Sequence, residues 1–177
     1  MHDDIDKILI DEEIIQKRLN VLASQIVNDF QGKPMLVIAL LKWAVLFTAD
    51  LLRRVPLPME IEFLNVASYH GGTESSGEVS FLDHSLPDVS GKAVLLLDDI
   101  LDTGRTLDAV MEKLKGEGAS YVKTCVLLSK DIEREHFSKA DYSGFIVGDE
   151  FVVGYGLDYD GRYRNLPYVG ILKDSAM

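Results

Sequence analysis

Val94-Leu95-Leu96-Leu97-Asp98-Asp99-Ile100-Leu101-Asp102-Thr103-Gly104-Arg105-Thr106-Leu107 is the stretch on which the fold turns. It belongs to an apolar run, Ala93 to Leu97, whose length suits a strand buried on both faces. Two adjacent carboxylates follow, then two apolar residues, then Asp102 and Thr103-Gly104-Arg105-Thr106. Leu107, Val110, Met111 and Leu114 repeat at helical spacing. The pattern predicts strand, tight loop and helix. In an open α/β sheet, ligands bind beyond the carboxyl ends of strands. The first turn of a helix presents unpaired N–H groups and the positive end of a dipole, which suits phosphate. Thr103 and Thr106 add hydroxyl donors, and Gly104 lets the backbone approach closely. Asp98 and Asp99 suit a diol or, through water, Mg2+. Acids beside a phosphate cradle suggest a ribose 5-phosphate. A lone Asp-Asp pair reads more simply as a polar turn, with Asp102 or Thr103 as an ordinary N-cap. Three acids, a glycine and two threonines within nine positions shift the balance to a ligand loop.

The 177 residues suit one domain, residues 1–177, with a substantial core. A net charge of -11 argues against nucleic acid as a general partner, and means that an anionic ligand needs a local cation. The one cysteine, Cys125, sits in the apolar run Val122 to Leu128 and reads as a buried structural thiol. It allows no intramolecular disulfide, which fits a reducing compartment. The start, Met1-His2-Asp3-Asp4, is acidic and lacks the basic and apolar regions of a signal peptide. No apolar run approaches the ~18 residues of a membrane span. A cytoplasmic protein with no membrane partner is the expectation.

Outward from the central stretch, strands alternate with helices. Asp11 reads as an N-cap, with Ile15, Leu19, Leu22 and Ile26 on one helix face up to Phe30 and Gly32 as the stop. Met35 to Leu40 reads as a buried strand, Val45 to Arg54 as a helix closed by Pro56 and Pro58, and Ile61 to Ser68 as a strand. His70 to Gly77 reads as a loop. Val79 to Leu82 suits a return strand, Tyr121 to Leu128 and Tyr142 to Val147 further strands. The alternation predicts a parallel, doubly wound α/β sheet. From Asp149 the chain is rich in Gly and Tyr and less regular. Neither a Gly-x-Gly-x-x-Gly after a strand nor a P-loop occurs, so dinucleotide and P-loop nucleotide readings lose their support. His2, His70, His84 and His136 have no metal-ligand spacing.

Further candidates fall at predicted strand ends. Lys42 follows the Met35–Leu40 strand and stands equally well as a phosphate ligand or a solvated helix-start lysine. Lys130 ends the Val122–Leu128 strand and suits a carbonyl, although Lys130 to Glu135 also reads as a solvated charge run. Ser68-Tyr69 opens the Gly-rich segment, which on its own reads as a surface hairpin. Phe151 suits stacking on a base, worth ~1–3 kcal/mol, or a core strand with Val152 and Val153.

Asp98-Asp99-Ile-Leu-Asp102-Thr103-Gly104-Arg105-Thr106-Leu resembles the phosphoribosyl-diphosphate signature of type I phosphoribosyltransferases. Phe151-Val152-Val153-Gly154-Tyr155, with Asp158 and Arg164 beyond, resembles a segment of the 6-oxopurine branch, the hypoxanthine-guanine enzymes of bacteria. The likeness runs from about Ile8 to Leu172. It implies a parallel sheet flanked by helices under a small hood formed by the terminal segments. It implies transfer of the 5-phosphoribosyl group from 5-phosphoribosyl 1-diphosphate to hypoxanthine or guanine, giving the nucleoside monophosphate and pyrophosphate. By this resemblance Asp98 and Asp99 hold the ribose, and Thr103, Gly104, Arg105 and Thr106 the 5′-phosphate. Asp102 is the catalytic residue, facing purine N7 as base or hydrogen-bond partner. Lys42, Trp43 and Arg164 bind pyrophosphate. Lys130, Phe151 and Val152 bind the purine, with Lys130 donating to the 6-oxygen and so separating 6-oxopurines from adenine. Ser68 and Tyr69 belong to a mobile loop that closes over the site. Asp98, Asp99 and Asp158 serve Mg2+, and the assembly is a homodimer or homotetramer. Three positions depart from the pattern. Asp98 stands for a frequent Glu and Arg105 for a frequent Lys, both keeping charge. Trp43 stands where the family has Gly, which implies either another loop shape or altered pyrophosphate contacts. The alternatives are a regulator with this fold that binds nucleotide or nucleic acid without turnover, and a xanthine-preferring transferase.

Overall fold

The computed structural model describes residues 2–68, 79–82, 86–134 and 139–176. Tyr69, the loop His70 to Gly77, His84 and His136 lie outside the described residues. In chain order the elements are β1 (Ile5–Ile10), α1 (Glu12–Phe30), β2 (Met35–Leu41), α2 (Val45–Leu52), β3 (Met59–Ser68) and β4 (Val79–Phe81). Then come β5 (Ala93–Leu101), α3 (Arg105–Gly116), β6 (Tyr121–Lys130), β7 (Tyr142–Val147), β8 (Val152–Val153) and β9 (Val169–Leu172), with a 3-10 turn at Asp174–Ala176. The main sheet runs β4-β3-β2-β5-β6-β7 and is parallel except where the short return strand β4 pairs with β3. β1, β9 and β8 make a separate antiparallel sheet from the two ends of the chain.

Side-chain alternation along the strands explains the layers. All of Met35 to Leu40 is buried. Met35, Val37 and Ala39 pack with α1 and α2 in one core, and Leu36, Ile38 and Leu40 pack with α3 in the other. α1 turns its predicted stripe, Ile15, Leu19, Leu22, Ile26 and Phe30, to the sheet, and α3 turns Leu107, Val110 and Leu114. Each such side chain contributes roughly 1.5–3 kcal/mol of burial. Cys125 is fully buried between the layers, and burial pushes its thiol well above the usual range. No helix among the described residues is long and apolar enough to cross a membrane.

The chain adds β3 on one side of β2 and β5 on the other. The winding therefore reverses between β2 and β5, and a crevice opens beyond their carboxyl ends.

Several local expectations are corrected. β5 does not stop at Leu97: its ladder with β6 continues to the pair Leu101 and Ser129, so Asp98 and Asp99 are strand residues. Backbone pairing is indifferent to side-chain polarity, and here the acids end a strand that faces a cavity. β6 likewise runs on to Lys130, and α2 ends at Leu52 rather than Arg54. The N-cap of α3 is Gly104 at φ 82°, not Asp102 or Thr103. Asp11 caps α1 by position, but its side chain makes no capping hydrogen bond; its carbonyl accepts from Ile15 N–H at 3.0 Å. β1 was not expected at all.

Candidate active site

A cavity of about 290 Å³ lies at the carboxyl ends of β2, β5 and β6. Its floor is Asp98 to Gly104 with Thr106 and Leu107; Leu40 and Trp43 close one side, Lys130 and Glu150 to Val152 another, and Leu157 and Asp158 cover it. Parallel strands ending together bring these distant segments to one edge. Gly104 in the left-handed region turns the chain from β5 into α3. That turn presents the first N–H groups of α3, which have no partner within the helix, beside Thr103 and Thr106.

Asp98 and Asp99 are both buried. Asp98 Oδ1 accepts from Asp99 N–H at 3.0 Å, and Asp99 Oδ1 from Ile100 N–H at 2.8 Å. No ion pair reaches either carboxylate among the described residues. Burial, then the charge of Asp99, raises Asp98 well above the usual carboxylate range. Burial also raises Asp99, against the opposing effect of its hydrogen bonds. The charge of Arg164 offsets part of this at Asp99, and two buried acids without an ion-pair partner suit hydroxyl donors or a cation. The described residues contain no cluster of three or more metal-ligating side chains. That donor set fits Mg2+, which keeps its waters and takes one or two carboxylates plus substrate phosphate.

Asp102 and Lys130 meet across the floor, with Lys130 Nζ 3.5 Å from Asp102 Oδ2. The ammonium also donates to Asp149 Oδ1 at 3.0 Å. Burial works against its charge, but Asp149 and Asp102 outweigh that and hold Lys130 above the ordinary lysine value. Arg134 ties this corner together. It donates to Asp102 O at 2.6 Å, Leu101 O at 3.0 Å and Ser129 Oγ at 3.3 Å, and also to Lys130 O. Sequence reasoning missed Arg134 and Asp149. Arg134 lies in a charge run that reads as solvated, and no spacing betrays that it turns inward. Asp149 and Glu150 are exposed, and no spacing in the sequence marks their place beside the site.

On the far side, Asp158 gathers three donors. Trp43 Nε1 reaches Oδ1 at 3.0 Å, an Arg164 guanidinium nitrogen reaches Oδ1 at 2.7 Å, and Gly161 N–H reaches Oδ2 at 2.7 Å. The Arg164 guanidinium stands 5.8 Å from the centre of the Trp43 ring. The Leu41–Lys42 peptide is cis, and Trp43 is not among the non-glycine residues with positive φ, which among the described residues are Tyr155, Asp160 and Tyr163. Nothing in the backbone at Trp43 therefore requires glycine. Phe151 is half-exposed, its ring edge-on to Tyr159 at 5.7 Å, while Val152 and Val153 are buried in β8. Lys42, Arg105 and Arg164 do not line the cavity itself. Ser68 ends β3, and Tyr69 is not described.

Residues 6–160 match the family model of the phosphoribosyl transferase domain. A hypoxanthine-guanine phosphoribosyltransferase of Staphylococcus aureus is 43% identical over 98% of this chain and 97% of its own length. This chain belongs to the hypoxanthine-guanine phosphoribosyltransferase family. A crystal structure of a Staphylococcus aureus hypoxanthine phosphoribosyltransferase superposes with a TM-score of 0.93 at 42% identity, covering 99% of this chain and 96% of that one. The bifunctional protein TilS/HprT of Listeria monocytogenes is 46% identical over 98% of this chain, which spans only 27% of that relative's length. Family membership agrees with the fold expected from the sequence, a parallel sheet flanked by helices. The cavity lies where type I phosphoribosyltransferase motifs converge, at the β5–α3 turn and the segment after β7.

Proposed function

We propose that the chain is a purine-salvage enzyme that transfers the 5-phosphoribosyl group of 5-phospho-α-D-ribose 1-diphosphate to hypoxanthine or guanine, giving IMP or GMP and pyrophosphate. The observation that carries this reading is the Asp102–Lys130 pair at 3.5 Å, in a cavity that a buried acid pair and Phe151 also line. In this reading Asp98 and Asp99 accept hydrogen bonds from the ribose hydroxyls. The N–H groups of Gly104 to Thr106 and the threonine hydroxyls hold the 5′-phosphate, with Arg105 supplying a nearby cation. Phe151 stacks on the base, and Val152 meets its edge. Lys130, which can only donate, takes the 6-oxygen and faces the 6-amino group of adenine with a second donor. The bond from C1′ to the diphosphate oxygen breaks as the bond from C1′ to N9 forms. The displaced imidazole proton leaves through N7 to Asp102, whose carboxylate also stabilises positive charge on the base. Asp98 and Asp99 on the ribose side, and Asp158 on the pyrophosphate side, would hold Mg2+ through its waters rather than as one three-carboxylate cluster, and the metal would neutralise the diphosphate charge that this acidic chain cannot meet alone. Lys42, Trp43 and Arg164 stand on the pyrophosphate side, and a loop opening at Ser68 and Tyr69 covers the site. The β1-β9-β8 sheet is the hood of a single domain. A cytoplasmic homodimer or homotetramer accords with the lone buried thiol and with the exposed Val45 and Leu46 beside the Lys42 loop.

The test is initial rates with 5-phosphoribosyl diphosphate, Mg2+ and hypoxanthine, guanine, xanthine or adenine, comparing the native chain with Asp102→Ala. Turnover of hypoxanthine or guanine but not adenine, reduced at least about a hundredfold in the variant, supports the reading. Preference for xanthine reassigns the substrate. Nucleotide binding with no turnover of any base makes the protein a regulator.

A further inference from the structure

The proposed function sets Trp43 on the pyrophosphate side but gives its indole N–H no task there. Its indole N–H and the Arg164 guanidinium both bond the same oxygen, Asp158 Oδ1, at 3.0 and 2.7 Å. Gly161 N–H takes the other oxygen at 2.7 Å. A carboxylate oxygen has two in-plane lone pairs, and both directions on Oδ1 are filled by donors. An N–H hydrogen and a divalent cation seek the same lone pair, and two electropositive groups cannot share it. We propose that Trp43 is a competitive latch on the pyrophosphate site: its indole N–H and the metal that accompanies pyrophosphate contend for Asp158 Oδ1. This rests on the assignment of Asp158 and Arg164 to the pyrophosphate side.

The backbone fixes which part moves. Trp43 O abuts Gly156, where a Cβ would lie 2.2 Å from it, and Arg164 donates to Gly156 O at 2.7 Å. The peptide of Trp43 is therefore held against the Gly156 turn, and release of Asp158 comes by rotation of the indole. Only about a third of Trp43 is exposed, so the swing carries the ring from contact with Arg164 into water. The latch keeps Asp158 and Arg164 paired with each other until a multivalent anion and its cation arrive together. The cost is affinity for pyrophosphate, and the gain is faster product release.

The chain has one tryptophan, so its emission reports Trp43 alone. The whole protein is titrated with pyrophosphate at fixed Mg2+, followed in parallel by fluorescence and by calorimetry, and calorimetry is repeated on Trp43→Phe, which keeps a ring and loses the donor. The latch predicts a red shift of emission that saturates at the calorimetric half-point, and affinity about three- to tenfold tighter in Trp43→Phe. Calorimetric binding with unmoved emission and unchanged affinity in Trp43→Phe overturns the latch and leaves the pyrophosphate site standing. No calorimetric binding by the native chain overturns the site assignment, and the latch with it.

Discussion

Lys130 is held by two carboxylates, so its ammonium is fixed as a donor whatever the neighbouring base offers. Glutamine at this position can present either an oxygen or an amide N–H. Lys130→Gln is therefore expected to raise KM for hypoxanthine at least about tenfold, and to narrow the gap to adenine, read from kcat/KM for both bases. The acid pair gives a prediction of opposite sign for stability and function. Asp98 and Asp99 have folded pKa values above their unfolded ones, so their stabilising contribution is fully present below about 3.9 and is lost as pH rises through the folded values. As pH rises above the unfolded value, the pair must either give up protons in a buried site or hold them at the expense of folding, and both disfavour the native chain. Asp98→Asn removes one of the two titrating groups, and is expected to stabilise the protein by about 1–2 kcal/mol at pH 8 and by nothing near pH 4. Turnover is expected to fall in the same variant, because under the proposed assignment Asp98 is a ribose acceptor. Calorimetric melting across that pH range, with rates at pH 8, checks both halves.

Between elements, the decisive link is Arg134, whose fork joins the end of β6 to the β5–α3 turn. A lysine keeps the charge but cannot span several acceptors with a planar fork. Arg134→Lys is expected to lower kcat/KM about tenfold while moving the melting temperature by less than about 4 °C, because the loss is of alignment between Asp102 and Lys130. A comparable drop in melting temperature and activity together would make Arg134 merely structural. Elements and motifs were unequally legible in the sequence. β2, β5, α1 and α3 announce themselves through apolar runs and a helical stripe, because burial on both faces of a parallel sheet leaves few polar positions. The Asp98 to Thr106 block was legible because its acids, glycine and threonines have no structural use in such density. β1 was not, since Asp6 and Lys7 break its alternation and its pairing with β9 depends on residues more than 150 positions away. Arg134 was hidden because a charge that turns inward looks, in sequence, like one that faces water, and Asp149 because it stays exposed and reaches the site only through its bond to Lys130. Trp43 stands out in the sequence as a departure from Gly, but the bond from its indole to Asp158 depends on a residue 115 positions away and has no local signal.

Across the whole molecule, the small sheet must be registered on the main one, because Phe151, Asp158 and Arg164 come from its segment and Asp98 to Thr106 do not. Tyr155, between β8 and β9, makes that registration. Its hydroxyl donates to Asp50 Oδ2 at 2.5 Å on α2 and accepts from Gln16 Nε2 at 3.4 Å on α1. Arg54 closes the network through Gln16 Oε1 at 2.5 Å, Asn20 Oδ1 at 2.9 Å and Asp50 O at 2.6 Å. Burial alone would raise Asp50, but the bonds from Tyr155, Arg53 and Gln16 outweigh it and hold the carboxyl below the usual range. A depressed folded pKa stabilises the protein above the unfolded value, and that stability is lost as pH falls through the folded one. Tyr155→Phe keeps the buried ring and removes the donor. It is expected to cost about 1–2 kcal/mol at pH 7, lowering the melting temperature by about 3–6 °C, with the penalty shrinking as pH drops below about 3.8 and Asp50 takes up a proton in either chain. If the small sheet is held in register by this network, the same variant at pH 7 binds 5-phosphoribosyl diphosphate more weakly, although Tyr155 itself stands outside the cavity lining. An unchanged affinity alongside the lower melting temperature would mean that the apolar contacts of Val152, Leu157 and Val169 suffice to hold the register.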